Sequence, residues 1–483
     1  MSDVLLRGVR AYGGGDPLDV LVRDGLIAGI APAGTLEPAG AEVVRADGRF
    51  VGPGLWDAHV HFTQWLIRRR RIDLSPARSA AETLRIVERA LTDRDGDGPV
   101  IGYGFRDGLW EDTPTQESID RVARGAAVVL VSGDLHCGWL STAGAHWLGL
   151  EPDAGGMVRE GAWIGAKRGT REAEALSPAD VREAVDDAAR RGVVGIVDFE
   201  NDDLASIWPR RVTEGADALR VEISVWPERL EEAIAVGRRT GDGVDGSGLV
   251  TMGPLKVVVD GSLNTRTAWC WDPYPGSEGG DGVVSTTPQE LRRLLSRARS
   301  HGIDAAVHAI GDRANSEVLD AFEDLGMSGT IEHAQFLRED DAPRFAALGV
   351  VAGVQPEHAM DDRDIADRHW SGRTGRAFAF GTLHRAGAAL RLGSDAPVAP
   401  LDPWHAIAAV VARARDDRAP WHPEQRIPVD AALASSARTS FAEGEPADLV
   451  VLDADPLAAE PAALRTMGVA ATLVGGRFTW RDL

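Results

Sequence analysis

The sequence predicts an α/β protein whose main body is a (β/α)8 barrel, with an inserted capping subdomain and a small β-sandwich domain built from both termini. Two observations predict the barrel. Short apolar runs alternate with helical stretches from residue 193 onward, and polar residues follow the ends of these runs. A third observation, strand patterns with Gly-rich turns at both ends of the chain, predicts the terminal domain. We place this domain at residues 1–52 and 440–483, and the barrel at 53–439.

Eight apolar runs account for the barrel strands. The first ends in PGLWDAHVH, and the other seven are VVGIVDFE (193–200), LRVEISVW (219–226), LKVVVDG (255–261), IDAAVHAIGD (303–312), TIEHA (330–334), VVAGVQP (350–356) and ALRLGSDAP (389–397). Stretches with helical periodicity, such as PQELRRLLSRARSHG, lie between them. Strands that alternate with helices form a parallel sheet, and eight such units are the number that closes a barrel.

The first two barrel strands are separated by a stretch too long for one connecting helix. It contains apolar runs of its own, PVIGYGF (99–105) and AAVVLVSGD (126–134). We therefore expect an inserted subdomain at about residues 64–190 that caps the barrel mouth.

The two ends of the chain have a different pattern. The N-terminal segments VLLRGVRAYGG, DVLVRDGLIAGIAP and GRFVGPG predict short antiparallel strands, as do ADLVVLDADP and VAATLVGGRFTW near the C-terminus. We expect the two ends to join in one small β-domain beside the barrel.

The bulk composition is that of a globular protein, with 44% hydrophobic and 26% charged residues in a chain of 483. A formal net charge of −22 argues against nucleic acid and anionic membranes as partners. Two cysteines give no disulfide framework and no Cys-based zinc site. With neither a signal-peptide pattern nor an apolar run of membrane-spanning length, we expect a cytoplasmic protein. A homodimer is left open.

Two histidines one residue apart, His59 and His61, follow the first predicted strand. Side chains two apart in a strand point to the same face, so both imidazoles aim at one point, and Asp57 has the same parity. Imidazole is the commonest protein ligand for zinc and its neighbours. Such a pair is a weak signal alone, and the residues at the other strand ends strengthen it.

Residues of matching chemistry follow four further strands, namely Lys256, His308, His333 and Asp395. Because active sites of such barrels form at the carboxyl ends of the strands, we expect one or two divalent cations there, zinc by ligand chemistry. A bound cation makes hydroxide available at neutral pH and polarises a carbonyl group. Asp395 can ligate the cation and also shuttle a proton.

Lys256 needs a separate explanation, because an ammonium group repels a cation. It is one of only two lysines in the chain. A desolvated lysine can lose its proton and react with carbon dioxide, and the resulting carbamate has two oxygens that can bridge two metals. The alternative is an interior lysine that pairs with Asp260, which lies on the same strand face.

Other polar and aromatic residues are candidates for the substrate pocket: Trp110, Trp139, Trp226, Asp260, Asp312, Gln355 and His358. Tryptophans can wall an apolar pocket, although we favour the core for most of the fourteen in this chain. Arg313 can pin a substrate carboxylate or carbonyl, or form a salt bridge with Asp312. His136, in the insert, can reach into the mouth. We expect His136 or Arg313 to help stabilise an oxyanion.

These stretches resemble the amidohydrolase superfamily, specifically its family-3 branch of YtcJ-like and N-substituted formamide deformylase-like proteins. The matching motifs span nearly the whole chain in the family's order: PGLWDAHVH, LKVVVDGS, VHAIGDRA, IEHAQ, VQPEH, GSDAPV and ADLVVLDADPL. The resemblance implies a metal-dependent barrel with a composite β-sandwich. It also implies metal-binding roles for His59, His61, Lys256 as a carboxylated bridging lysine, His308, His333, and Asp395 as ligand and proton shuttle.

The resemblance implies hydrolysis of C–N bonds in amides and related groups. We therefore expect a hydrolase that uses metal-activated hydroxide on a non-peptide C–N bond of a small molecule, such as an N-acyl or N-formyl amine. The insert departs from the family pattern, with Leu135 for a glycine and Ser141 for an asparagine in DLHCGWLS. Two alternatives stay open: cleavage of an ester, lactone or cyclic amide at the same metal, and a catalytically silent metal- or ligand-binding barrel.

Overall fold

The computed structural model describes residues 3–38, 40–92, 98–107, 110–133, 137–159, 163, 176–275 and 280–483. The chain divides into two compact units, one of Met1–Phe62 with Pro178–Leu483 and the other of Thr63–Ser177. The second unit is the insertion between the first two barrel strands. It ends at Ser177 rather than near residue 190, because the helix Pro178–Arg190 packs with the first unit through buried side chains such as Val181 and Val185.

The first unit contains the predicted parallel barrel. Its strands are Leu55–Val60, Val193–Asp198, Arg220–Val225, Val250–Val258, Ala305–Ala309, Thr330–His333, Val351–Val354 and Leu390–Leu392. Each strand pairs in parallel with the next one along the chain. The end of the eighth strand returns to the first, where Asp395 N–H donates to His59 O at 2.7 Å and His61 N–H to Ala396 O at 2.8 Å. The predicted fold class is confirmed.

Helices follow the barrel strands and cover them. Those of the first unit are Pro178–Arg190, Leu204–Thr213, Leu230–Ala235, Pro288–Arg299, Asp312–Leu325, Ala342–Leu348, Pro356–Asp361, Arg363–His369, Phe380–Arg385, Pro403–Ala412 and Val429–Ser435. The helix Pro288–Arg299 illustrates the pattern: Thr287 caps its first turn, and Leu291, Leu294 and Leu295 are buried on one face.

The terminal β-domain is present as one eight-stranded sheet. Its strands are Val4–Ala11, Leu18–Arg23, Leu26–Pro32, Glu42–Arg45, Phe50–Pro53, Leu449–Leu452, Val469–Val474 and Arg477–Arg481. The two ends of the chain meet where Phe50–Pro53 pairs antiparallel with Leu449–Leu452. Leu6 and Val20 pack in one apolar core with Leu473.

The inserted unit has a sheet of its own, with strands Ile72–Asp73, Val100–Phe105, Val128–Ser132, Cys137–Leu140 and Met157–Arg159. Its helices are Ala80–Thr92, Gln116–Ala123 and Thr142–Leu148, and a further helix, Phe62–Arg69, begins at the boundary between the units. Among the described residues of the whole chain, no helix is both long and apolar enough to cross a membrane.

Candidate metal centre

His59 and His61 meet the carboxylate of Asp395 at the carboxyl end of the barrel. Asp395 Oδ1 lies 3.3 Å from His61 Nε2 and 3.5 Å from His59 Nε2. The three residues offer ligand atoms that all lie within 4.8 Å of one another. Asp57, predicted to share their strand face, accepts the Ser394 N–H at 2.8 Å and so ties the eighth strand to the first. This group contains three of the sequence-predicted ligands.

A second group of potential ligands consists of His333, His358 and, again, Asp395. Asp395 Oδ2 lies 3.9 Å from His358 Nε2, and the rings of His333 and His358 stack with centroids 6.2 Å apart. His333 Nδ1 and His358 Nε2 are buried without a hydrogen-bond partner among the described residues. A cation satisfies such nitrogens, so this group also fits a metal. The sequence placed His358 only in the substrate pocket.

His308 borders the centre but belongs to neither group. Its ring packs edge-on against His333, with the centroids 4.5 Å apart. Its Nε2 lies 3.2 Å from Gly261 O and 3.4 Å from Asp260 Oδ1. This nitrogen is therefore engaged by the loop that follows the fourth strand, and a ligand role for His308 stays a prediction.

Lys256 lies deeper in the same site. Its Nζ is 3.5 Å from His59 Nε2 and 4.2 Å from the centre of the Phe199 ring. Burial lowers the pKa of Lys256 to about 8, although the carboxylates of Glu332 and Asp395 oppose this shift. The amine of Lys256 is therefore close to the first ligand, and its carboxylation stays a prediction.

The alternative partner of Lys256 has another role. Asp260 Oδ1 accepts the Ile310 N–H at 3.0 Å, and its Oδ2 accepts the N–H groups of Trp269 and Gly311 at 2.8 Å each. The Asp260 carboxylate therefore organises the backbone around the fourth and fifth strand ends. Asp260 was predicted as a pocket residue, but its carboxylate holds the backbone instead.

The electrostatics of the centre favour neutral imidazoles at His59 and His333 and an ionised carboxylate at Asp395. Burial lowers the pKa of His61, but its hydrogen bond to Asp395 outweighs this effect, so the net pKa of His61 is raised. Burial, helped by the positive charge of Lys256, lowers the pKa of His59 to about 4, and burial with His308 lowers that of His333 well below its ordinary value. Burial opposes ionisation of Asp395, but the imidazoles of His59 and His61 hold its pKa well below the usual range. Neutral imidazole and carboxylate are the forms that bind divalent cations.

Glu332 is a buried part of the centre that sequence reasoning missed. Its Oε2 lies 2.6 Å from His59 Nδ1, and Gln355 Nε2 lies 3.4 Å from the same nitrogen. Burial raises the pKa of Glu332, but the imidazole of His59 outweighs this effect and the net pKa is lowered. The available signal was an acidic residue inside the apolar run TIEHA. Gln355, predicted as a pocket residue, also lies behind the first ligand.

Asp312 and Arg313 do not form a salt bridge with each other, which was one of the two alternatives for this pair. Asp312 Oδ2 lies 3.3 Å from Arg376 Nη1, and its Oδ1 accepts the Trp271 N–H at 3.0 Å. The Arg313 guanidinium lies over the Trp271 ring, with Nη1 3.5 Å from Asp281 Oδ2. Asp312 is buried and anchors the loop rather than facing a pocket. The role of Arg313 toward a substrate stays a prediction.

The predicted aromatic wall is not formed as expected. Trp139 is fully buried in the core of the inserted unit, so this indole packs a core instead of walling a pocket, and Trp110 packs against the same core. Trp226, at the end of the third strand, is half-buried and donates from Nε1 to Phe199 O at 3.2 Å. His136 lies outside the described residues, as does Leu135.

Comparison with known proteins supports the resemblance drawn from the motifs. The sequence model of the Amidohydrolase family matches residues 42–480. The putative amidohydrolase YtcJ of Bacillus subtilis (strain 168) is 27% identical over 95% of this chain and 95% of its own. The N-substituted formamide deformylase of Arthrobacter pascens is 25% identical over 95% of this chain and 94% of its own.

A solved structure agrees with this assignment. The crystal structure of an uncharacterized metal-dependent hydrolase from Pyrococcus horikoshii OT3 superposes with a TM-score of 0.81 at 25% identity. The match covers 95% of this chain and 99% of that one. Barrel, insertion and terminal domain therefore all fall within the matched length.

Proposed function

The chain belongs to the amidohydrolase family, and we propose that this metal-dependent hydrolase cleaves an amide-type, non-peptide C–N bond of a small molecule. The observation that carries the proposal is the pair of ligand groups that share Asp395 at the carboxyl end of the barrel. Similarity to an N-substituted formamide deformylase favours an N-formyl or N-acyl amine as the substrate class.

The donor set fits one or two divalent cations, with zinc as the proposed metal. His59 and His61 offer two nitrogens beside Asp395, and His333 with His358 offers two more on its other side. Nitrogen and carboxylate ligands suit zinc, and the buried nitrogens of His333 and His358 call for an electrophilic partner. When bound, the cation lowers the pKa of a water molecule and polarises a substrate carbonyl.

Lys256 is proposed to carry a carbamate. Its amine nitrogen would bond to the carbon of carbon dioxide and release one proton, which converts a cation-repelling group into a carboxylate. Burial supports this step, because a pKa of about 8 leaves a fraction of the amine unprotonated near neutral pH. Because Nζ lies 3.5 Å from His59 Nε2, the oxygens of such a carbamate would lie near the first ligand.

Asp395 is proposed as the proton carrier. Its oxygens face His61 on one side and His358 on the other, so the carboxylate lies between the two ligand groups. Its depressed pKa keeps it ionised at neutral pH. It can therefore accept a proton from the attacking water and deliver it to the leaving nitrogen. His136 and Arg313 are proposed to steady the oxyanion that forms on the substrate carbonyl.

The test uses chelator-treated protein reloaded with zinc and a panel of N-formyl amines, N-acyl amines, esters, lactones and cyclic amides. We expect zinc-dependent hydrolysis of a formyl or acyl amine. Turnover confined to the esters, lactones or cyclic amides would contradict the proposed bond. Zinc binding without turnover of any compound would indicate the silent barrel. His61→Ala should lose zinc, whereas His301→Ala, a histidine outside both ligand groups, should retain it.

We also propose a cytoplasmic location, and the net charge of −22 supports the absence of a nucleic-acid or anionic-membrane partner. Fractionation of the native host with antibodies against the protein tests this. Recovery in the membrane fraction would contradict it.

A further inference from the structure

We infer that Glu332 is a positioning residue of the metal centre: it holds the Nδ1–H of His59, so that Nε2 is the nitrogen left free to bind the cation. The inference rests on the proposed function, because it concerns the same centre. It assigns a role to a residue that lies outside both ligand groups and to which the motif resemblance gave none.

The contact between His59 and Glu332 is short and excluded from solvent. His59 Nδ1 lies 2.6 Å from Glu332 Oε2, and the side chains are 1% and 3% exposed. An ionised carboxylate only accepts hydrogen bonds, and a neutral imidazole carries a single N–H. The proton of His59 is therefore on Nδ1. The lone pair is on Nε2, which faces Asp395 Oδ1 at 3.5 Å.

The barrel leaves a space that fits this carboxylate. Glu332 pairs with Gly353 of the seventh strand, and a Cβ at Gly353 would lie 2.6 Å from Oε2 and 2.7 Å from Oε1. The φ angle of Gly353 is not positive, so its backbone conformation does not require glycine. The space for the Glu332 carboxylate is the reason that a side chain does not fit there.

The buried charge of Glu332 is also balanced. Arg391, on the eighth strand, interacts attractively with its carboxylate. The Glu332 carboxylate therefore has a favourable cation in addition to its short hydrogen bond with His59.

Carboxylates that hold the distal nitrogen of a metal-binding histidine fix its tautomer and ring orientation, and their loss weakens metal affinity about 10- to 100-fold. Gln355 does not replace this function, because its Nε2, 3.4 Å from His59 Nδ1, is assigned as a donor and also lies 3.3 Å from Gly353 O. Glu332 is therefore the acceptor that sets the tautomer.

The experiment removes the carboxylate in two ways. Glu332→Gln keeps the size but removes the charge, and Gly353→Ala displaces the carboxylate without changing it. We measure zinc affinity by competition with a chromophoric chelator, and the His59 tautomer from ¹⁵N chemical shifts of the metal-free protein. Both variants should bind zinc about 10- to 100-fold more weakly than the wild type and lose the uniform Nδ1–H tautomer.

Matched controls separate positioning from general damage. Glu222→Gln neutralises another barrel carboxylate, which pairs with Arg438. Gly195→Ala introduces a methyl group against the Trp56 ring. Both should keep zinc affinity within about twofold of the wild type.

The inference is overturned if the folded Gly353→Ala and Glu332→Gln variants bind zinc as tightly as the wild type does. It is also overturned if His59 of the wild-type protein carries its proton on Nε2. If Glu332→Gln does not fold, Gly353→Ala and Glu332→Asp decide. Failure of the proposed function looks different: tight zinc binding by the wild type, with the same losses in the variants, but no hydrolysis of any substrate.

Discussion

Lys256 Nζ lies 3.5 Å from His59 Nε2 in a site where the lysine is 2% exposed. Burial lowers the pKa of this amine to about 8, against the opposing pull of Glu332 and Asp395. The ordinary pKa of an unfolded lysine is about 10.4. At pH values between these two pKa values, Lys256 is mostly protonated in the unfolded chain and mostly unprotonated in the folded, metal-free protein.

The metal-free protein should therefore become more stable as the pH rises from about 8 to about 10.4. A group that binds fewer protons when folded adds to the free energy of unfolding as pH increases, here by at most about 3 kcal/mol. Denaturant unfolding in CO2-free buffer measures this free energy for the wild type and Lys256→Met. The free energy of unfolding of the wild type, relative to that of Lys256→Met, should rise across this window. If the two free energies change with pH in parallel, the assignment is contradicted.

Gly393→Ala should damage the metal centre. A Cβ at this position would lie 2.7 Å from both the Cβ and the backbone N of His59, so the added methyl group must displace the first ligand. We expect a loss of about 1–3 kcal/mol in the free energy of unfolding, typical of overpacking, together with weaker zinc binding. Denaturant titration and chelator competition measure the two effects. Gly246→Ala is the control, because a Cβ there meets nothing within 4 Å, and equal behaviour of both variants would contradict the prediction.

The barrel and most of the centre follow from local sequence patterns. Parallel strands covered on both faces are continuous apolar runs, so their number and order can be predicted. The parity of a strand places His59 and His61 on one face, where the structure has them beside Asp395. These features depend on residues close together in the sequence.

Glu332 and His358 could not be predicted in this way. Glu332 precedes His333 and has the opposite parity, and His333 has a φ of +73°, which breaks the strand alternation. His358 lies in the helix Pro356–Asp361, beyond the strand end, where helical geometry sets its direction. The prediction that Trp139 lines a pocket was wrong for another reason. Whether an indole lines a pocket or packs in a core depends on which elements cover it, and these elements are distant in the sequence.

Cys270 should be unreactive in the native protein. Its side chain is fully buried, and burial together with the nearby Asp312 raises its pKa to about 11, although Tyr274 opposes this. The reactive thiolate is then scarce at pH 8. In a Cys137→Ser variant, a chromogenic disulfide reagent should detect no thiol until denaturant is added. Titration within seconds in native buffer would contradict both the burial and the raised pKa.

Asp395→Asn should separate metal binding from turnover. Asparagine has the same shape and retains one oxygen beside His61, so we expect zinc to remain bound at the stoichiometry of the wild type. It cannot take up a proton at neutral pH, so turnover of the best substrate in the panel should fall by about 10²- to 10⁴-fold, the range of general acid–base catalysis. Elemental analysis gives the zinc content, and steady-state kinetics give kcat and KM. Because proton transfer follows substrate binding, the loss should appear in kcat while KM changes little. Asp304→Asn, an exposed carboxyl near Glu222 and outside the metal centre, is the control and should keep wild-type turnover. A fully active Asp395→Asn would show that another group carries the proton.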